Sequence, residues 1–219
     1  MKVGVLSDIH GNTVALDAVI ADMPPVDRLI CAGDVVGYNP WPVDCVEFVR
    51  ERSVPTVMGN HDRATAGGTS FGFNSMAGAG VEYAREQLSD EQIAFLAALP
   101  DSRREFDGRV RIVHGHPSDP DRYTYPAQFG PELLGEEDVL VMGHTHVQAH
   151  AGYDEGIVMN PGSVGQPRDG DPRAAYAVLD LDAMAVTDHR VSYDIDEVQA
   201  AVRERGLPKQ IGDRLDKGR

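Results

Sequence analysis

The chain has 219 residues, 42% hydrophobic and 25% charged, which suits one domain with a substantial core and leaves no apolar run near the roughly 20 residues of a bilayer span. Its formal net charge is −15 and its only lysines are Lys2, Lys209 and Lys217, a surface that repels nucleic-acid backbones and excludes general DNA or RNA binding. Two isolated cysteines, Cys31 and Cys45, read as buried reduced thiols and exclude a disulfide framework or zinc finger.

Lys2–Ser7 is a β-rich run that ends on Asp8. A helical pattern follows, with Val14, Leu16, Val19 and Ile20 apolar, and Pro24-Pro25 stops it. Arg28–Ala32 reads as a second strand ending at Gly33-Asp34, Val43–Arg50 as a helix, and Val54–Met58 as a third strand ending at Gly59-Asn60. Strand, helix, strand, helix, strand implies parallel strands with helical crossovers, whose carboxyl edge is where α/β sheets hold ligands. Ser75–Leu88 is helical, and Ser89-Asp90-Glu91-Gln92 has the form of a capping box opening another helix before Pro100. Strand character returns with Arg109–Val113 before His114, Val139–Met142 before Gly143-His144, and Ile157–Met159 before Asn160. Ala174–Leu181 and Ala185–Val191 form an expected antiparallel pair turning near Asp182, and Asp194–Arg205 a last helix. One domain over residues 1–205 follows, with a polar tail over 206–219 expected to fray.

Five short elements carry the chemistry: Asp8-Ile9-His10, Gly33-Asp34, Gly59-Asn60-His61-Asp62, His114-Gly115-His116 and Gly143-His144-Thr145-His146. Each follows an expected strand, so the five converge in one cleft. Asp, Asn and His are oxygen and nitrogen donors for borderline divalent metals, with no thiolate among them. An extended Asp8-Ile9-His10 would put Asp8 and His10 on one side, and the same holds for His144 and His146.

In this order the set resembles the calcineurin-like metallophosphoesterase superfamily, whose blocks read D-x-H, G-D, G-N-H-D/E, H and G-H-x-H. The run Asn160-Pro161-Gly162-Ser163-Val164-Gly165-Gln166-Pro167-Arg168 resembles its small bacterial and archaeal phosphodiesterase branch. The resemblance implies a four-layer α/β/β/α sandwich of two mixed sheets flanked by helices. It also implies two divalent metal ions, with manganese expected first and iron, nickel, zinc or cobalt also accepted. Asp8, His10, Asp34 and His146 would hold one ion and Asp34, Asn60, His114 and His144 the other, with Asp34 and a hydroxide bridging. His61 would protonate the leaving oxygen or stabilise charge, and Asp62 would orient His61. The implied activity is phosphodiester or phosphomonoester hydrolysis on a small phosphorylated substrate. The alternative is a silent scaffold, as in the retromer subunit of this superfamily, or a phosphate or metal sensor. Retention of every ligand and of His61 weighs against the scaffold. Gly33-Asp34-Val35-Val36-Gly37-Tyr38 lacks the Asp-Arg pair of Ser/Thr protein phosphatases and of dinucleoside-tetraphosphate hydrolases, which disfavours both.

Other positions keep two readings. Asn12 either lies near the phosphate, as the resemblance implies, or caps the helix from Thr13; His116 either faces substrate or is solvated. Arg63 either contacts phosphate or forms an exposed ion pair, and Arg168 and Arg173 either anchor their loop or bind substrate. Trp41 is a candidate pocket wall. Residues 65–76 and 117–131, with Phe71, Phe73, Tyr123, Tyr125 and Phe129, are candidate rims suited to an aromatic ligand. The expected location is cytoplasmic, with no membrane partner, and a homodimer is a guess from general frequency. The acidic, lysine-poor surface also suits a cell of high internal salt.

Overall fold

Alternating apolar residues at Val3 and Val5 set the first strand, and everything else is layered on it. In the computed structural model, which describes residues 1–69 and 72–219, β1 (Lys2–Leu6) pairs in parallel with β2 (Arg28–Cys31) through the crossover helix α1 (Thr13–Asp22). On its other side β1 pairs antiparallel with β8 (Ala174–Asp180), which turns back into β9 (Ala185–Val191). The result is a four-stranded mixed sheet in the order β2-β1-β8-β9.

A second, five-stranded mixed sheet runs β3 (Ser102–Glu105), β4 (Val110–Val113), β5 (Val139–Val141), β7 (Gly156–Asn160), β6 (Ala149–Tyr153). Its three central strands are parallel and its two edges antiparallel. The sheets meet face to face over Val3, Val5, Ile30, Val110, Ile112, Val141 and Met159, all buried. The outer face of the first sheet, including Leu6, Cys31 and Tyr176, packs under α1, α2 (Pro42–Glu51), α4 (Ser75–Gln87) and α5 (Asp90–Ala97). The outer face of the second is covered by two short 3-10 turns at Pro126–Gln128 and Pro131–Leu133, which lay Phe129, Leu133 and Leu134 on Leu140 and Val158.

Three local expectations change. The third strand over 54–58 shrinks to one parallel bridge, Cys31 to Thr56. Pro55 has no N–H for a ladder; only its carbonyl is used, accepting from Cys31 N at 2.9 Å. The block after it is helical: α3 (Asn60–Gly67) begins at Asn60, with Gly59 as its cap. Third, the tail does not fray. After α6 (Ile195–Glu204), residues Leu207, Ile211 on α7 (Gln210–Asp213) and Leu215 pack in one buried cluster with Val198, Val202 and Tyr38. The Ser89 to Gln92 capping box forms as expected, and Asp194 caps α6. Among the described residues, no helix is long and apolar enough to cross a membrane.

Candidate metal centre

The loops leaving β1, β2, β4 and β5 all open at one edge of the sandwich and deliver the motif residues there. Asp8 N donates to Gly33 O and His10 N to Asp34 O, both at 2.9 Å, so the first two loops are stitched together. The backbone is not extended, as alternation would require. Asp8, His10, Asp34, His144 and His146 all have positive φ, between 50° and 67°. Asp and His enter this left-handed region more readily than most residues, but five such positions around one point is a strained arrangement that neighbouring contacts must hold. Those contacts are visible. Ser163 Oγ donates to Asp8 O at 2.7 Å, and Asn160 Nδ2 donates to Gly143 O at 2.7 Å and contacts Thr145 Oγ1 at 3.0 Å. Two glycines permit the close approach: a Cβ on Gly59 would lie 2.0 Å from Asp34 Oδ1, and one on Gly143 would lie 2.1 Å from Ser7 Oγ.

Two clusters of ligand atoms result, Asp8, His10, Asp34 and His146, and Asp34, His114 and His144, each with its atoms within 4.8 Å of one another. Asp34 belongs to both; its Oδ2 lies 3.6 Å from His10 Nε2 and 3.3 Å from His114 Nε2. Asn60 joins the second cluster, its Oδ1 lying 3.2 Å from His114 Nε2.

Hydrogen bonds decide which histidine nitrogen is free. Nδ1 of His10, His114 and His146 meets the carbonyls of Val36 (3.0 Å), Ala32 (2.7 Å) and Gln166 (2.6 Å). A carbonyl only accepts, so each Nδ1 carries a proton, and the neutral rings of His10 and His146 turn the Nε2 lone pair inward. His10 Nε2 and His146 Nε2 therefore face each other at 3.1 Å with no proton between them. Asp8 Oδ1, 3.1 Å from His146 Nε2, has no hydrogen-bond partner although fully buried. Lone pairs and a carboxylate converging without donors are what a divalent cation fits. His144 Nε2 faces Asp121 O at 3.1 Å, which leaves its Nδ1 for the same purpose.

The electrostatics agree. Burial pushes His10 well below its ordinary pKa, and burial with the neighbouring His114 takes His144 down to about 4, so both are neutral ligands at pH 7. Burial opposes charge on Asp8 and Asp34, but the surrounding histidines, His146 for Asp8 and His114 for Asp34, hold both carboxyls below the ordinary range. Burial opposes the proton on His114, yet Asp34 beside it raises that residue to about 10, a proton that a bound cation would displace.

His61 stands over the clusters. Its N–H donates to Asp34 Oδ1 at 2.8 Å, its ring meets those of His10, Tyr38 and Phe73 at 4.6–4.8 Å between centroids, and its buried Nδ1 has no partner. Burial brings its pKa down to about 4. The Asp62 carboxylate makes no hydrogen bond to the His61 ring, so any orienting effect on His61 runs through the backbone. That carboxylate accepts from Gly59 N (3.0 Å) and Val36 N (3.1 Å), closing the start of α3 and tying it to the loop after Asp34.

A cavity of about 450 Å³ opens above the clusters, lined among others by Asp34, Asn60, His61, His144 and His146. Both expected rims contribute to it, through Thr69, Gly72, Phe73 and Asn74 on one side and Asp121 and Tyr123 on the other. Tyr123 stacks on His144 with 3.9 Å between centroids; Phe71 lies outside the described residues. Three candidates lie outside the cavity lining. Asn12 is buried away from the cavity, its Oδ1 capping α1 through Ala15 N and its Nδ2 donating to Gly165 O. His116 bonds Ser118 and does not line the cavity. Trp41 packs with the C-terminal cluster instead of the cavity. Arg63 reaches the rim but is paired with Asp101 (2.7 Å) and Asp121 (2.8 Å). Arg168, read with Arg173 as a loop anchor, lines the cavity, whereas Arg173 pairs with Asp171 at the surface. The resemblance of the segment from Asn160 to Arg168 was the signal that this loop belongs to the site.

Comparison with known proteins agrees with this geometry. Residues 1–184 match the model of the calcineurin-like phosphoesterase superfamily domain. The chain is 31% identical to MJ0912 of Methanocaldococcus jannaschii, an alignment covering 99% of this chain and 98% of that one. It is 40% identical to the phosphodiesterase YfcE of Escherichia coli K12, over 85% of this chain and 91% of that one. The crystal structure of a metallophosphoesterase from Sphaerobacter thermophilus superposes with a TM-score of 0.88 at 38% identity, covering 100% of this chain and 99% of that one.

Proposed function

The chain belongs to the calcineurin-like phosphoesterase superfamily, and from that premise we propose that it hydrolyses small phosphate esters at a dinuclear metal site. The observation that carries this reading is the pair of ligand clusters sharing Asp34, with histidine lone pairs turned inward by carbonyl-bound Nδ1 protons. Asp8, His10, Asp34 and His146 would hold one ion, and Asp34, Asn60, His114 and His144 the other. Manganese is the first ion to test, and a mixed carboxylate and imidazole set without thiolate also accepts iron, nickel, zinc or cobalt. When bound, two such ions would supply the Lewis acidity that activates water near neutral pH and offsets charge on the phosphoryl oxygens.

The chain's own residues do the rest. The backbone stitching of Asp8, Asp34 and His144 holds the ligands so that little reorganisation is needed on binding. His61 lines the cavity with its backbone N–H bonded to Asp34, and is the group placed to donate a hydrogen bond to the ester or, in its protonated form, to pass a proton to the leaving oxygen. Phe73 and Tyr123 give the cavity apolar walls that exclude water and accept an aromatic leaving group. The 40% identity to YfcE supports a diester preference.

The test is to strip metal from the protein and assay bis-p-nitrophenyl phosphate and p-nitrophenyl phosphate with and without manganese, for wild type and His61→Ala. Turnover should require metal, and His61→Ala should lose about 10²–10⁴-fold in kcat while still binding two ions per chain. A wild type that binds two ions but hydrolyses neither these nor a panel of nucleotide and phosphosugar esters would overturn the reading in favour of a sensor or scaffold.

A further inference from the structure

Two arginines line the cavity, and they differ in what neutralises them. Arg63 is held between the carboxylates of Asp101 and Asp121. Arg168 meets no carboxylate among the described residues, in a chain with 35 acidic and 20 basic side chains. Its Nε and Nη2 donate to neutral acceptors, Gln166 Oε1 at 3.2 and 2.7 Å and the Tyr38 hydroxyl at 3.1 Å. Its Nη1, with two N–H donors, has no acceptor among the described residues.

The guanidinium is also held in place. Tyr38 is buried, its ring tilted against that of His61 with 4.6 Å between centroids, and the Arg168 cation lies 5.6 Å from the Tyr38 centroid. Arg168 N donates to His146 O at 3.2 Å, and Gly170 N donates to Gly218 O at 3.0 Å, so the loop is anchored to a metal-cluster residue on one side and the C-terminal segment on the other. A half-buried, oriented guanidinium with a free donor pair is built to take an oxyanion, for which its fork is suited.

We propose that Arg168 is the residue that binds the substrate's phosphate, Nη1 donating to a non-bridging phosphate oxygen on the His61 side of the cavity. The site then selects anionic phosphate esters by a fixed cation of the chain as well as by any bound metal. This rests on the phosphoesterase reading, in that the anion it recognises is the ester's phosphate.

Inorganic phosphate is the probe, titrated by calorimetry into manganese-loaded wild type, Arg168→Met, Arg168→Gln and, as a control in the same loop, Arg173→Met. Wild type should bind phosphate, both Arg168 variants at least about 10-fold more weakly with two metal ions retained, and Arg173→Met as wild type. In the ester assay the Arg168 variants should raise KM by a similar factor. No phosphate binding by wild type, or wild-type affinity in either folded Arg168 variant, would overturn the proposal. Ester turnover by wild type with phosphate affinity and KM unchanged in the variants would sink Arg168 alone. Loss of phosphate affinity in the variants of a wild type that hydrolyses no ester would uphold Arg168 as an anion ligand and remove the phosphoesterase reading.

Discussion

Asp62 shows how a residue beside His61, the proposed catalytic group, can act on it through the backbone. Its two carboxylate oxygens are the acceptors for two N–H groups, Gly59 at the start of α3 and Val36 in the loop after Asp34. Burial and the neighbouring Asp34 raise its pKa to about 7, so the carboxylate is kept there against an electrostatic cost, compensated by those bonds. Truncation to Ala would leave two buried N–H groups unpaired, at roughly 1–3 kcal/mol each, and loosen the helix that carries Asn60 and His61. We expect Asp62→Ala to lower stability by roughly 2–5 kcal/mol in urea denaturation. Asp62→Asn, which keeps one acceptor, should lose less. An unchanged denaturation midpoint in Asp62→Ala would show that the two bonds contribute nothing net.

At the level of elements, the C-terminal segment is the part whose character differs most from expectation. A stretch with Lys209, Lys217 and several other charges reads as solvated, yet its apolar residues fall at 207, 211 and 215, a spacing of four that puts them on one side of a helical path. Leu207, Ile211 and Leu215 are buried with Val198 and Val202 of α6, and the same cluster includes Tyr38, the residue that receives Arg168. Ile211→Ala should therefore cost roughly 2–5 kcal/mol of stability, measured by thermal or urea melting, where a solvated tail would give no change. Pro55 makes the opposite point. A run with strand composition stays outside the ladder because one missing N–H removes its second bridge.

For the whole molecule, the net charge of −15 is the dominant long-range term. Repulsion among exposed carboxylates acts over a screening length of about 10 Å at 0.1 M salt and about 3 Å at 1 M. We propose that the fold is adapted to high salt, and expect its melting temperature to rise steadily between 0.1 and 2 M sodium chloride. A flat or falling curve would remove that reading and leave the acidic surface without this explanation.

What the sequence determined by itself was the identity of the candidate ligands and the order of the strands that carry them. Short β-rich runs ending in Asp, Gly-Asp or His are local patterns, and local patterns survive without coordinates. So does the Ser89 cap, which depends on a bond spanning three residues. Tertiary structure alone decided the rest, because each such feature depends on groups far apart in the chain. The histidine tautomers are set by carbonyls 20 to 82 residues away, the positive φ of Asp8 and His10 by bonds to the loop of Asp34, and the cavity role of Arg168 by a Tyr38 hydroxyl 130 residues upstream. A pattern of residue types names donors; only the packed chain says where their lone pairs point.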